Sequence, residues 1–255
     1  VTGSEETLSF RLAYVPGVTP AKWVRIWNER LPGVPLELIA TPPAAAYDVL
    51  RDGGADAGFV RLPADRTYFS AIPLYTETTV VVVPKDHLFT AADEVAVEDL
   101  ADEIVLHPLD DTLGWERPPG QPAFERPATT ADAIELVAAG IGLLVVPQSL
   151  ARLHHRKDLK YRTLTDAPQS QVALAWPEER TTERVEDFIG IVRGRTVNST
   201  RGRSRPQAAD EPKAKQPGKA GARKPAARKP VGKGSRTARG GSGAPKGAKR
   251  GKPRR

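Results

Sequence analysis

The sequence predicts an α/β protein made of two small units, joined by two crossing segments and followed by a basic arm. Three observations predict it. Strand-like and helix-like patterns alternate as β-α-β-α-β from Leu8 to Leu62, with links so short that a parallel sheet covered by helices is the expected arrangement. A second helix–strand alternation runs from Val97 to Pro147. The composition then changes abruptly. Residues 199–255 hold 19 Lys and Arg against 2 acidic residues, whereas residues 1–198 hold 19 against 29. The formal net charge of +7 is therefore the sum of an acidic body of −10 and an arm of +17, which is a different object from a uniformly basic protein.

The elements follow in order. "LSFRLAYVPG" reads as a strand with Phe10, Leu12 and Tyr14 on one face, extended by Leu8. Thr19 is expected to cap a helix with Pro20 at its first position, its apolar stripe formed by Trp23, Ile26, Trp27 and Leu31. "VPLELIA" is a second strand, residues 44–51 a short helix closed by Gly53 and Gly54, and "ADAGFVRL" a third strand. "FSAIPLYTETTVVVVPKDH" reads as one long strand or as two joined at a bend, and "VEDLADEIVLH" as a short helix leading into a strand. A loop-like insert follows, with prolines at 108, 118, 119, 122 and 127; its Trp115 either lines a cleft or pins the loop. Thr129 with Asp132 resembles a capping box for a helix carrying Ile134, Val137 and Ala138 on one face. Gly140 and Gly142 end that helix, Leu143 to Val146 form a buried strand stopped by Pro147, and Ser149 opens another helix. "QVALAWP" returns as a strand, and Val185, Phe188, Ile189 and Val192 mark the face of a last helix with Gly194 just past it. Crossings near Val82 to Pro84 and Gln169 to Val172 divide the chain into residues 8–82 plus 171–195, residues 83–170, and an arm of residues 196–255. Two units joined by two crossings leave a hinged cleft, a favoured place for a small ligand.

Several function classes are excluded. The chain has no cysteine, so disulfides, thiolate metal sites and cysteine nucleophiles are not available. No run approaches the roughly 18 apolar residues of a membrane span, and "VTGSEETLSF" has neither the basic nor the apolar region of a secretory signal. A soluble cytoplasmic protein is expected. His87, His107, His154 and His155 show no metal spacing, His154 and His155 read as a polar surface turn, and no G-x-S-x-G places a nucleophile. "RDGGADAG" lacks the lysine of a phosphate loop, so its glycines read as a helix stop, and Asp110 and Asp111 read as facing water. No enzyme, metal or cofactor is expected.

Taken together and in order, "LSFRLAYVPG", "LRDGGADAGFVRLP", "IPLYTETTVVVVPKDH", "VEDLADEIVLHP" and "AIELVAAGIGLLVVPQSLAR" resemble the effector-binding domain of LysR-type transcriptional regulators, across residues 8–195. The resemblance implies two Rossmann-like subdomains with a hinged cleft, the fold of type 2 periplasmic binding proteins, with the last helix returning to pack on the first subdomain. It implies a small effector in the cleft and a homodimer formed side by side. The N-terminal helix-turn-helix of such regulators has no counterpart in this sequence, so the resemblance does not carry over sequence-specific promoter binding.

In open α/β sheets the binding crevice lies beyond the carboxyl ends of the parallel strands. That rule selects Pro16, Gly17, Val18 and Thr19 after the first strand, Thr41 after the second, Arg61 after the third, and His107, Val146 and Pro147 in the second unit; the resemblance points to the same places. Thr129 and Thr130 add hydroxyls and free amides at a helix start. Helix starts facing one cleft favour an anion, with Arg61 the expected counter-charge. Two plainer readings stand beside this one: Thr19 and Thr129 as caps only, and Arg61 as a solvated loop residue.

The arm is nearly free of aliphatic side chains and is expected to be disordered when free. "ARKP" occurs at 222–225 and again at 227–230, resembling the tails of linker histones. "KRGKPRR" looks like an AT-hook core and "RGRSRP" like a looser version. The expected DNA contacts are Arg201, Arg203 and Arg205, then Lys249, Arg250, Lys252, Arg254 and Arg255. With no aromatic residue for stacking on single strands, a +17 arm favours salt-sensitive binding to duplex DNA, and nucleoid association would follow. The alternative is a binding module whose arm engages RNA or a protein partner.

Overall fold

The computed structural model describes residues 9–195. The expected strand extension at Leu8 and the whole arm, including its DNA contacts from Arg201 to Arg255, lie outside the described residues.

The first subdomain is a five-stranded sheet in the order β2-β1-β3-β11-β4. Its strands are β1 (Phe10–Tyr14), β2 (Leu36–Ala40), β3 (Ala57–Arg61), β4 (Phe69–Glu77) and β11 (Ser170–Pro177). β1 runs parallel to β2 and β3, and β11 returns antiparallel between β3 and β4. Every residue of β3 is buried, as expected of a central strand covered on both faces. The helices α1 (Ala21–Arg30), α2 (Ala46–Arg51) and α5 (Glu183–Val192) cover it. Phe10 stacks on Trp27 at 4.6 Å and meets Phe188 at 5.2 Å between ring centres, so α5 closes the same core that α1 opens. The Trp27 indole N–H donates to the Val34 carbonyl at 2.9 Å, giving its one polar atom a partner inside the core.

The second subdomain is a six-stranded sheet in the order β6-β10-β5-β9-β7-β8. It comprises β5 (Thr79–Pro84), β6 (Glu94–Ala96), β7 (Ile104–Leu106), β8 (Gln121–Pro122), β9 (Leu143–Pro147) and β10 (Leu159–Thr165), with α3 (Thr130–Ala138) and α4 (Gln148–Leu153). The run Val80 to Val83 explains why this sheet has two cores. Successive side chains point to opposite faces, so Val80 and Val82 join the core under α3 while Val81 and Val83 join the other. Trp115 packs against that second core, which assigns it to pinning the proline-rich insert.

Of the two readings of residues 69–87, the second holds: β4 lies in one sheet and β5 in the other, with the break at Thr78. Three expectations need correction. The first crossing falls at Thr78, ahead of the Val82 to Pro84 expected. Thr19 does not cap α1: Pro20 takes that position without a side-chain hydrogen bond, and Thr19 is exposed. Asp110 and Asp111 serve the chain rather than the solvent, since Asp110 accepts from the Thr130 hydroxyl at 2.9 Å and Asp111 from the Leu113 and Gly114 amides. The capping box of α3 is present, with the Thr129 hydroxyl accepting from the Asp132 amide and the Asp132 carboxylate from the Thr129 amide.

Candidate functional site

The two sheets part at Thr78 and rejoin through residues 166–169. The Thr79 hydroxyl donates to the Pro168 carbonyl at 2.5 Å, lashing the two crossings together, and the Gln148 amide donates to the Thr78 carbonyl at 2.9 Å, anchoring the start of α4 to the first crossing. Against this junction comes the turn after β1. There the Val18 amide closes onto the Val15 carbonyl, and Gly17 adopts a φ of +84°. A Cβ at Gly17 would lie 2.4 Å from the Ser149 hydroxyl of α4, so the close approach of the subdomains here requires glycine.

Beneath the junction lies Arg61, the last residue of β3. Its guanidinium is ion-paired with Glu77 at the end of β4, and their side chains are only 5% and 6% exposed. The same group donates to the Ser170 hydroxyl at 2.9 Å, the Pro16 carbonyl at 3.1 Å and the Ser149 hydroxyl at 3.3 Å. One side chain thus holds the ends of both crossing strands, the cleft turn and α4. Burial pulls the Arg61 guanidinium down to about 10, still far above neutrality, so the guanidinium keeps its charge. The hydroxyl of Tyr75, two residues before Glu77, is pushed up by burial and drawn back by the Arg61 charge.

Above the pair opens a cavity of about 320 Å³. Gly17, Thr19 and Trp23 form its first-subdomain wall, the strand end from Tyr75 to Thr78 its back, and Gln148, Ser149 and Arg152 its second-subdomain wall. Of the residues selected from sequence, Gly17 and Thr19 line this cavity, while Pro16 and Arg61 support it. Val18 is buried in the first core. Thr41 is buried too, with its hydroxyl donating to the Ile39 carbonyl at 3.2 Å. His107 stands 3.6 Å from Asp111, and Thr130 is held by Asp110. With Thr129 they gather where β7 and α3 meet, away from the cavity. Val146 and Pro147 are buried in β9 against β5.

Arg61 is therefore neither a solvated loop residue nor a free counter-charge, because Glu77 already neutralises it. Trp23, the run from Tyr75 to Thr78, Gln148, Ser149 and Arg152 were missed. The available signal was the strand break at Thr78, which turns the end of β4 into cleft wall, and the spacing of Arg152 three residues after Ser149 on the same helix. Among the described residues no group of three or more His, Asp or Glu side chains could hold a metal, and no helix is long and apolar enough to cross a membrane.

Comparison with known proteins agrees with this architecture. The family model of the LysR substrate binding domain matches residues 5–196. The chain is 32% identical over 161 residues to the probable hydrogen peroxide-inducible genes activator of Mycobacterium avium, covering 58% of this chain and 52% of that protein. It is 26% identical over 184 residues to the HTH-type transcriptional regulator AlsR of Bacillus subtilis, covering 66% and 59% respectively. The chain thus spans a little over half the length of these relatives, which are transcriptional regulators rather than enzymes. Among solved structures, the BenM effector binding domain with its effector benzoate superposes with a TM-score of 0.62 at 22% identity, over 73% of this chain and 90% of that one. A variant of the OxyR regulatory domain from Pseudomonas aeruginosa gives 0.57 at 21% identity, over 72% and 96%. The two sheets, the paired crossings and the family match place the chain among the LysR substrate-binding domains.

Proposed function

We propose that residues 9–195 form the effector sensor of a LysR-type regulatory protein that takes a small anionic ligand between its subdomains, and that the basic arm contacts duplex DNA. The observation that carries the sensor reading is the cavity of about 320 Å³ at the crossing of the subdomains, within the size range of small-ligand sites. Its walls come from both subdomains, so a ligand held there would bias their relative orientation, which is what a sensor has to do. Binding is read as reversible and non-covalent. The chain has no cysteine and no methionine, so the sulfur oxidation chemistry through which a protein could register peroxide is not available to it, whatever its relatives named for peroxide-inducible genes do. A second copy is proposed to pack along α1 and β2. There β2 is a sheet edge, Leu38 is 42% exposed, and an open groove of about 650 Å³ runs between Tyr14, Val24 and Leu38.

The arm supplies a +17 charge that would release counterions from phosphates on binding. Two arms on one dimer would add avidity where both reach one duplex. Fluorescence anisotropy of AT-rich and GC-rich duplexes, over a salt series, compares the full chain with a chain ending at Asn198. Binding by the full chain alone with a steep salt slope is expected. Absence of binding at low salt would overturn the DNA contact and favour a protein or RNA partner for the arm.

A further inference from the structure

We infer that Arg152, and not Arg61, is the anion-recognising residue of the cleft, and that the ligand class is a small carboxylate with a flat apolar body. The inference rests on the sensor reading and names the ligand chemistry of that same cavity. Three charged side chains meet there, Arg61, Glu77 and Arg152. The first two cancel in a buried pair, and the Arg61 guanidinium commits its terminal nitrogens to Glu77, Ser170, Pro16 and Ser149. Only its Nε lacks a partner, and that atom is buried, so the side chain presents no free nitrogen to the cavity.

Arg152 is different in each respect. It is exposed on α4 and lines the cavity, and among the described residues its one side-chain hydrogen bond runs from Nε to the Tyr161 hydroxyl at 3.3 Å. No carboxylate pairs with it among the described residues. Its two terminal nitrogens remain free, and a planar guanidinium presents them in the fork that matches a carboxylate. Glu77 and Arg152 are the charges on the lining itself; Arg61 beneath it offsets Glu77, so the three sum to +1 and Arg152 is the charge left unpaired. The other polar groups are neutral, chiefly the hydroxyls of Thr19 and Ser149 and the amide of Gln148, and each can take a remaining oxygen of the ligand. The wall opposite α4 is Trp23, backed by Phe59 at 4.6 Å between ring centres, with the 39% exposed Tyr75 beside it. Aromatic side chains of this kind accept a flat apolar body.

The test compares benzoate with benzamide, and cyclohexanecarboxylate with its amide, as probes of the full chain by isothermal titration and thermal shift. The acids are expected to bind and the amides to fail. Arg152→Gln is expected to weaken acid binding by about 10- to 100-fold, the size of a lost charge-assisted hydrogen bond, with Arg152→Lys between it and the wild type. Because Arg152 is exposed, the unliganded variants should melt with the wild type, which separates a binding loss from a folding loss. Amides binding as well as acids, or acids binding Arg152→Gln undiminished, would overturn the assignment and leave the sensor reading standing. Silence of all four probes on the wild type would overturn the assignment and count against the sensor reading as well.

Discussion

Glu77→Gln is expected to be far more damaging than any surface charge neutralisation in this protein, and the reason can be worked from the burial of its partner. The substituted amide would keep the shape of the side chain and still accept from Arg61, but the guanidinium would remain, 5% exposed, without a counter-charge. Its other acceptors, Ser170, Pro16 and Ser149, are neutral. Burial draws Arg61 down only to about 10, so near pH 7 it cannot escape by losing its proton. Breaking one side of a buried pair removes about 3–5 kcal/mol, against about 0.2–1 kcal/mol for an exposed pair. In a domain of this size that lowers Tm by roughly 6–20 °C. The double variant Arg61→Met/Glu77→Leu should be much closer to wild type, because well-packed apolar residues replace a buried pair at little loss. Urea denaturation of the full chain, followed through its tryptophans, measures all three proteins. A Glu77→Gln loss below about 1 kcal/mol, or a double variant less stable than the single, would refute the placement of this pair in a dry junction.

Two further outcomes test the geometry around it. Gly17→Ala should lose about 1–2 kcal/mol from the left-handed backbone alone, and more from the overlap with Ser149, so Ser149→Ala in the same chain should recover part of the loss; equal stability of Gly17→Ala and wild type in the same denaturation would contradict the turn. Thr129→Ala removes the cap of α3 and should lose about 1 kcal/mol, visible as earlier melting by circular dichroism, whereas Thr19→Ala, which removes no cap, should leave Tm unchanged.

The alternation of strands and helices was legible because each signal is local. Phe10, Leu12 and the stripe through Trp27 need only their own spacing to be read, and Thr129 with Asp132 forms its box within one turn. The break at Thr78 was not legible as a boundary, since Thr78 to Val83 is uniformly β-favouring and nothing in it says that the chain leaves one sheet for another. Thr19 before Pro20 carries the pattern of a cap, yet the turn that brings Gly17 against Ser149 sets the direction of the chain there, and that contact spans most of the sequence.

The two arginines show what kind of information was missing. Arg61 follows a buried strand and stands where a ligand's counter-charge would be expected, while Arg152 sits in "ARLHHRKDLKY" among other charges and reads as surface. What reverses them is pairing. Glu77, 16 residues after Arg61, reaches it only because β11 runs between β3 and β4 and brings Ser170 into the same pocket. No acid reaches Arg152 among the described residues, and the start of its helix is tied to the first crossing by the Gln148 to Thr78 hydrogen bond. The rule that ligands bind at strand ends located the cleft, but it could not say which charges in that cleft were already neutralised. The buried pair is then better understood as the part of the hinge that the ligand must leave intact, and the exposed arginine as the part it can engage. On that view a sensor separates two tasks that the sequence pattern assigned to one residue: Arg61 keeps the crossings, the turn and α4 in register, and Arg152, one turn along α4, reports whether an anion has arrived.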